Sequence, residues 1–108
     1  MKPQYIKIDK DGNTFYYSNK KMTRYHRVDG PAVEYANGDK YWYVDGKFHR
    51  ENGPAIEYAN GGKYWYVYGK IHRENGPAFE QKNGYKCWYL NSIEYTEQEH
   101  AKRTKKWL

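Results

Sequence analysis

Hydrophobic positions in this chain come in short alternating runs, not at helical spacing. "AVEYA" (32–36) and "KYWYV" (40–44) are strand-length runs of aromatic and β-branched residues. Between them lies Asn37-Gly38, read as a two-residue hairpin turn in which both residues take positive φ. Asp45-Gly46 marks a second turn. One strand is then short (39–44), and the next runs from about 47 to 58 with "ENGP" interrupting it.

The pattern repeats. "HRVDGPAVEYANGDKYWYVDGKF" (26–48) aligns without gaps to 49–71 and to 72–94, a period of 23 with eleven positions identical in all three copies. A degenerate unit precedes them. In 11–22, Tyr16-Tyr17 stands in place of Trp-Tyr and Asn19-Lys20 in place of Asp45-Gly46. Equivalent units of an antiparallel meander stack in one direction only if each holds an even number of strands. "ENGP" is therefore a bend or bulge inside one long strand, where Gly supplies an unusual φ and Pro removes a ladder donor.

A two-residue turn at Asn37-Gly38 sets the register. Val33 then opposes Trp42, Tyr35 opposes Lys40, and Ala32 opposes Tyr43. One face carries Val33, Tyr35, Trp42 and Val44 as core. The other carries Ala32, Glu34, Tyr41 and Tyr43, a mixed-charge tyrosine surface and the candidate binding face. A slip of one residue reverses this assignment.

The array needs ends. "QYIKID-KDGN-TFYYS" predicts an N-terminal hairpin. At the C-terminus Ser92 replaces the turn Gly and Tyr95 the His, and "TEQEHAKRTKKWL" predicts a helix. Thr96 and Glu99 have capping-box spacing. His100, Ala101, Thr104, Trp107 and Leu108 share one face, which is expected to cover the open edge of the last unit, with a partner-binding helix as the alternative. The fold class is mostly β: an antiparallel meander of stacked β-hairpins in a single twisted sheet, with a short C-terminal capping α-helix. It forms one domain over 1–108, divided into 1–25, three repeats and 95–108.

Composition sharpens this picture. Ile, Leu, Val and Phe number only 14, but there are 14 Tyr and 4 Trp, so the core is aromatic and thin. The formal charge is +6 with both signs interspersed, which favours acidic partners moderately. Cys87 is single, so an intrachain disulfide is excluded and a reducing compartment fits. The chain shows no signal-peptide core and no apolar run of membrane-spanning length, and a cytoplasmic protein is the expectation.

With these residues in view, "KYWYVDGKFHRENGPAIEYANG" resembles a MORN repeat: an aromatic strand, a turn Gly, a basic strand with Gly, a second strand segment and another Gly turn. The resemblance covers about 11–94. Pro-Ala stands where the common form has a further Gly. The "HR-(D/E)-x-GPA" variant looks like repeats in uncharacterised proteins of bacteriophages and large DNA viruses. The resemblance implies a stacked-hairpin sheet serving protein interaction, oligomerisation or membrane association, without a catalytic motif. It also implies a possible host protein as partner, in the host cytoplasm, with this chain as inhibitor or adaptor.

The recurring "HR-x-x-GPA" invites a chemical reading. His26, His49 and His72 lie two strands apart, about 9–10 Å, whereas zinc ligands converge to about 2 Å from one ion. No metal site or cofactor is expected. His49, Arg50 and Glu51 could form an acid–base set, but His and Arg adjacent on a strand point to opposite faces. No nucleophile recurs, and no enzyme is expected. The structural reading prevails: Gly-Pro-Ala shapes the bend, His donates to a carbonyl that the bend frees, and Arg50 pairs with Glu34 or Glu57.

The expected function is non-catalytic binding of a protein through Tyr41, Tyr43, Arg50, Tyr64, Tyr66, Arg73 and Tyr89, since Tyr and Arg concentrate interface energy. The alternative is nucleic-acid or nucleotide binding by an Arg/Lys/Tyr ladder that includes Arg27, Lys47 and Lys70. A lesser one is attachment to an anionic membrane through "KRTKKWL" (102–108). Open sheet edges admit a homodimer.

Overall fold

A computed structural model of the chain describes residues 4–105. It contains β1 (Tyr5–Ile8), β2 (Thr14–Tyr17), β3 (Val33–Glu34), β4 (Lys40–Tyr41), β5 (Tyr43–Val44), β6 (Lys47–Phe48) and β7 (Ile56–Glu57). These are followed by β8 (Lys63–Tyr64), β9 (Tyr66–Val67), β10 (Lys70–Ile71), β11 (Phe79–Glu80), β12 (Lys86–Leu90), β13 (Ile93–Tyr95) and α1 (Glu97–Thr104). Nine strands form one antiparallel sheet in the order β1-β2-β3-β4-β7-β8-β11-β12-β13, and β5-β6 and β9-β10 are side hairpins. The fold class is the one the sequence predicts. The molecule measures 47 × 32 × 21 Å.

The first two repeats each contribute one strand pair to the main sheet and one side hairpin, whereas in the third β12 runs unbroken through Trp88 and pairs with β13; the repeats all run in the same direction. Both paths bend at the same level. The long 47–58 segment leaves its hairpin at "ENGP", as expected. The short 39–44 segment also breaks, at Trp42, which the sequence reading did not anticipate. Ala32, Ala55 and Ala78 have no exposed surface. They carry the ladder across the bend: the Ala55 N–H donates to the Tyr64 carbonyl at 2.7 Å, and the Trp42 N–H to the Ala55 carbonyl at 2.7 Å. A larger residue would force these strands apart.

The register differs from the expected one by a single residue. Val33 faces Tyr41 and Glu34 faces Lys40. The cause is the turn. Gly38 takes φ +102°, but Asn37 is not at positive φ. The Tyr35 N–H donates to the Asp39 carbonyl at 3.0 Å, and the Gly38 N–H to the Tyr35 carbonyl at 2.9 Å. This is a three-residue loop with Gly in the left-handed position. Units two and three and the N-terminal hairpin close the same way, with Gly61, Gly84 and Gly12 in that position. The second turn is the two-residue type the sequence predicts: Asp45 and Gly46 take φ +50° and +78°, and Val44 faces Lys47.

This shift reverses the faces on the second strand of each unit. One row across the sheet reads Phe15, Val33, Tyr41, Ile56, Tyr64, Phe79, Cys87; the other reads Thr14, Glu34, Lys40, Glu57, Lys63, Glu80, Lys86. Glu34, Glu57 and Glu80 therefore lie away from Tyr41 and Tyr64, and the tyrosine surface is not of mixed charge. Trp42 leaves the expected core group for the charged face.

The ends close as follows. The N-terminal hairpin pairs Tyr5 with Tyr17 and Ile8 with Thr14. Asn19-Lys20 does not replace the two-residue turn; a longer loop forms, with the Asn19 side chain accepting from the Thr23 and Arg24 amides and Met22 at φ +56°. At the other end Asn91 and Ser92 take φ +48° and +68°, so Ser92 holds the place of the turn glycine. The capping box forms as predicted: the Glu99 N–H donates to Thr96 Oγ1 and the Thr96 N–H to the Glu99 carboxylate. The Thr96 N–H, and after it the Thr96 side chain, holds the Glu99 carboxyl below its ordinary pKa. The helix packs on β12 and β13. His100 is 3% exposed, whereas Ala101 faces solvent. Trp107 and Leu108 lie outside the described residues.

Candidate functional site

The repeated motif is an internal bracket. Arg50 leaves its backbone as β6 ends, and its guanidinium lies over the Trp42 ring, 3.8 Å from the centroid. Nη1 donates to the Pro54 carbonyl at 3.1 Å and to Glu57 at 2.9 Å. Arg73 repeats this over Trp65, with its Nη1 on the Pro77 carbonyl and 4.0 Å from Glu80. Arg27 repeats it over Tyr16, so the degenerate unit's tyrosine does stand in for Trp. Gly53 leaves room for this stack: a Cβ there would sit 2.9 Å from Arg50 Cζ, and the guanidinium would have to shift. The expectation that this glycine supplies an unusual φ is not met, because Gly30, Gly53 and Gly76 all lack positive φ.

The histidine acts in the opposite sense from the one expected. His49 Nδ1 accepts from the Tyr68 N–H at 3.0 Å, a residue at φ +47° in the turn nineteen positions on. His26 and His72 accept likewise from Asp45 and Asn91. Each imidazole therefore presents a bare Nδ1 and carries its proton on Nε2. The His49 ring also stacks on Tyr68 at 4.0 Å. Each motif thus ties its bend to the next two-residue turn.

These brackets put a row of clefts on the charged face. One of about 690 Å³ lies between the loops around Asp29 and Glu51, floored by Trp42 and Val44. Its equivalent, of about 500 Å³, lies between the loops around Glu51 and Glu74, floored by Trp65 and Val67. No group of three or more His, Cys, Asp or Glu that could hold a metal occurs among the described residues. No helix among them is long and apolar enough to cross a membrane.

The opposite face is a sheet of aromatic rings. Tyr43 stacks on Phe48 at 4.4 Å, Phe48 meets Tyr66 at 5.1 Å and Tyr41 at 6.0 Å, and Tyr64 stacks on Phe79 at 4.4 Å. Tyr58 bridges Tyr41 and Tyr64 edge-on. Burial, with Tyr58 as the next contribution, pushes the Tyr41 phenol up to about 12. Burial, then Tyr25, does the same for Tyr43, also to about 12. The Tyr64, Tyr66 and Tyr89 phenols are likewise raised, chiefly by burial.

The seven candidate residues therefore divide. Tyr41, Tyr43, Tyr64 and Tyr66 come together on the aromatic face, and Tyr89 extends it beside Cys87. Arg50 and Arg73 lie on the other face, engaged with Trp, Pro and Glu. Sequence reasoning missed Trp42 and Trp65 as partners of these arginines. The signal was present: only the observed register places each Glu opposite a Lys, Glu34 against Lys40 and Glu57 against both Lys40 and Lys63.

Comparison with protein-family models, with curated proteins and with solved structures finds no match.

Proposed function

We propose that this chain is a non-catalytic protein-binding module whose contact surface is the aromatic face. The observation that carries this reading is the segregation of the two faces. Fixed charges gather on one side, where they brace the array, and an uncharged row of tyrosine, phenylalanine and aliphatic side chains occupies the other. Contiguous aromatic surface marks interaction sites, and tyrosine anchors interfaces at low entropic cost. The MORN-like repeat pattern agrees with such a role, and the phage-like variant of the motif points to a host protein as partner and to an inhibitor or adaptor in its cytoplasm.

The nucleic-acid reading draws less support from the geometry. Arg50 and Arg73 are held against Trp rings and carboxylates, and the tyrosines that would stack bases lie on the far side from them. The test is affinity capture from host lysate with the wild-type chain and with Tyr43→Ser/Tyr66→Ser. A stoichiometric partner lost in the double variant and retained in 0.5 M salt supports the proposal. Binding confined to nucleic acid and abolished by salt counts against it.

A further inference from the structure

We infer that the aromatic face receives a left-handed polyproline II segment laid across the strands, one ligand turn per repeat. This rests on the binding-module reading above and narrows it to a single ligand conformation.

Periodicity is the first argument. Tyr41 on β4 and Tyr64 on β8 are equivalent positions separated by two strand spacings, about 9–10 Å. Buried Ile56 lies in the row between them. A polyproline II helix has three residues per turn at a rise of about 3.1 Å, so it presents the same side every ~9.3 Å. An α-helical turn advances about 5.4 Å. An extended strand returns to the same face every ~6.6 Å. Of the three, only the polyproline II repeat stays in phase with this row.

Charge and hydrogen bonding are the second argument. The row from Val33 through Tyr41, Ile56 and Tyr64 to Phe79 holds no charged side chain, which suits a ligand that carries none. Polyproline II leaves its backbone carbonyls without internal donors. Tyrosine phenols are protonated at neutral pH, so those of this face are available as donors toward such carbonyls. Flat rings against a preformed, low-entropy helix are a recurrent recognition mode.

Access is the third. The helix α1 lies toward the other face, because Arg103 stacks on Tyr95 and Tyr95 shares a face with Trp88. Tyr41, Tyr43, Tyr64 and Tyr66 are half-buried, between the buried Val33 and Ile56 of the row and the margin, where Tyr35 and Tyr85 are 39% and 57% exposed.

The experiment is an NMR titration of the whole chain with blocked decaproline, beside blocked hexaproline and a Gly-Ser decamer. Saturable shifts centred on Tyr41, Tyr43, Tyr64 and Tyr66 are expected. Hexaproline, spanning about two turns, should bind several-fold more weakly. Tyr66→Phe keeps the ring and the fold while removing a donor, and should weaken decaproline several-fold with an unchanged denaturation midpoint. No saturable shift, shifts centred on the Arg50 and Arg73 clefts, or an equal response to the Gly-Ser decamer would overturn the inference. A lysate partner that depends on the tyrosines but is not displaced by decaproline would overturn it too, while leaving the binding-module reading in place.

Discussion

Arg50 and Gly53 are two halves of one contact: the guanidinium lies so close to the glycine that an added Cβ would stand 2.9 Å from Cζ. Held between Trp42 and Gly53, the guanidinium reaches both the Pro54 carbonyl and Glu57. Losing the stack and the carbonyl bond in Arg50→Ala should cost about 2 kcal/mol. Gly53→Ala should cost part of this by displacing the guanidinium from its stack. In the double variant the second change should add little, because no guanidinium remains to be displaced. Urea denaturation of the four chains measures the coupling; strict additivity would contradict this account.

His49 offers a contrast between two replacements. His49→Ala leaves the Tyr68 N–H without its acceptor, and about 1–2 kcal/mol of stability should be lost. His49→Asn places Oδ1 near the position of Nδ1 and should recover part of that loss, although the stack on Tyr68 is gone. Equal destabilisation by Ala and Asn would mean that the ring matters only through packing.

The tyrosine face should titrate late. Tyr41 and Tyr43 have folded pKa values raised to about 12, above the unfolded value near 10. The folded state thus binds these protons more tightly than the unfolded one. The associated stability is fully present below about pH 10 and is lost as pH rises through about 12. Phenolate absorbance should show an early group of tyrosines and a late group whose ionisation accompanies unfolding. A single transition near pH 10 with the fold intact would exclude it.

One substitution should stabilise. Asp39 accepts from the Ala59 N–H at 2.7 Å, linking one three-residue turn to the next, and Asn13 does the same for Ala36. Gly62 holds the equivalent place in the second unit and has no side chain to offer Lys82. Its Cβ would meet Tyr58 at 3.2 Å, but Asp39 already occupies the matching slot beside Tyr35. Gly62→Asp should raise stability by about 1 kcal/mol, through the added bond and a less flexible unfolded chain. A lower urea midpoint than wild type would refute this.

Much of the architecture was legible in the sequence because repetition multiplies weak signals. Asp45-Gly46, the even strand count and the Thr96–Glu99 cap stand as read, and Arg50 pairs with Glu57, one of the two partners expected for it. The faces were not legible from Asn37-Gly38 alone. That dipeptide serves both a two-residue turn and a three-residue loop ending in Gly38, and the two differ by the one residue that exchanges faces. Charge would have decided between them, since the two-residue turn sets Glu34 against Tyr41 and leaves Lys40 against Tyr35. With the faces exchanged, Trp42 was placed in the core, and the platform for Arg50 went unseen.

Each arginine reaches back across a repeat boundary to an aromatic ring of the preceding unit, and each histidine reaches forward to the second turn of its own unit. No 23-residue copy is therefore self-sufficient, and where one copy starts is a matter of convention. Removing 23 consecutive residues from anywhere in the interior should rejoin like with like, shortening the molecule by one step. Removing a number that is not a multiple of 23 should leave rings without arginines. Such an array can lengthen or shorten during evolution in whole steps, as a ratchet moves by teeth.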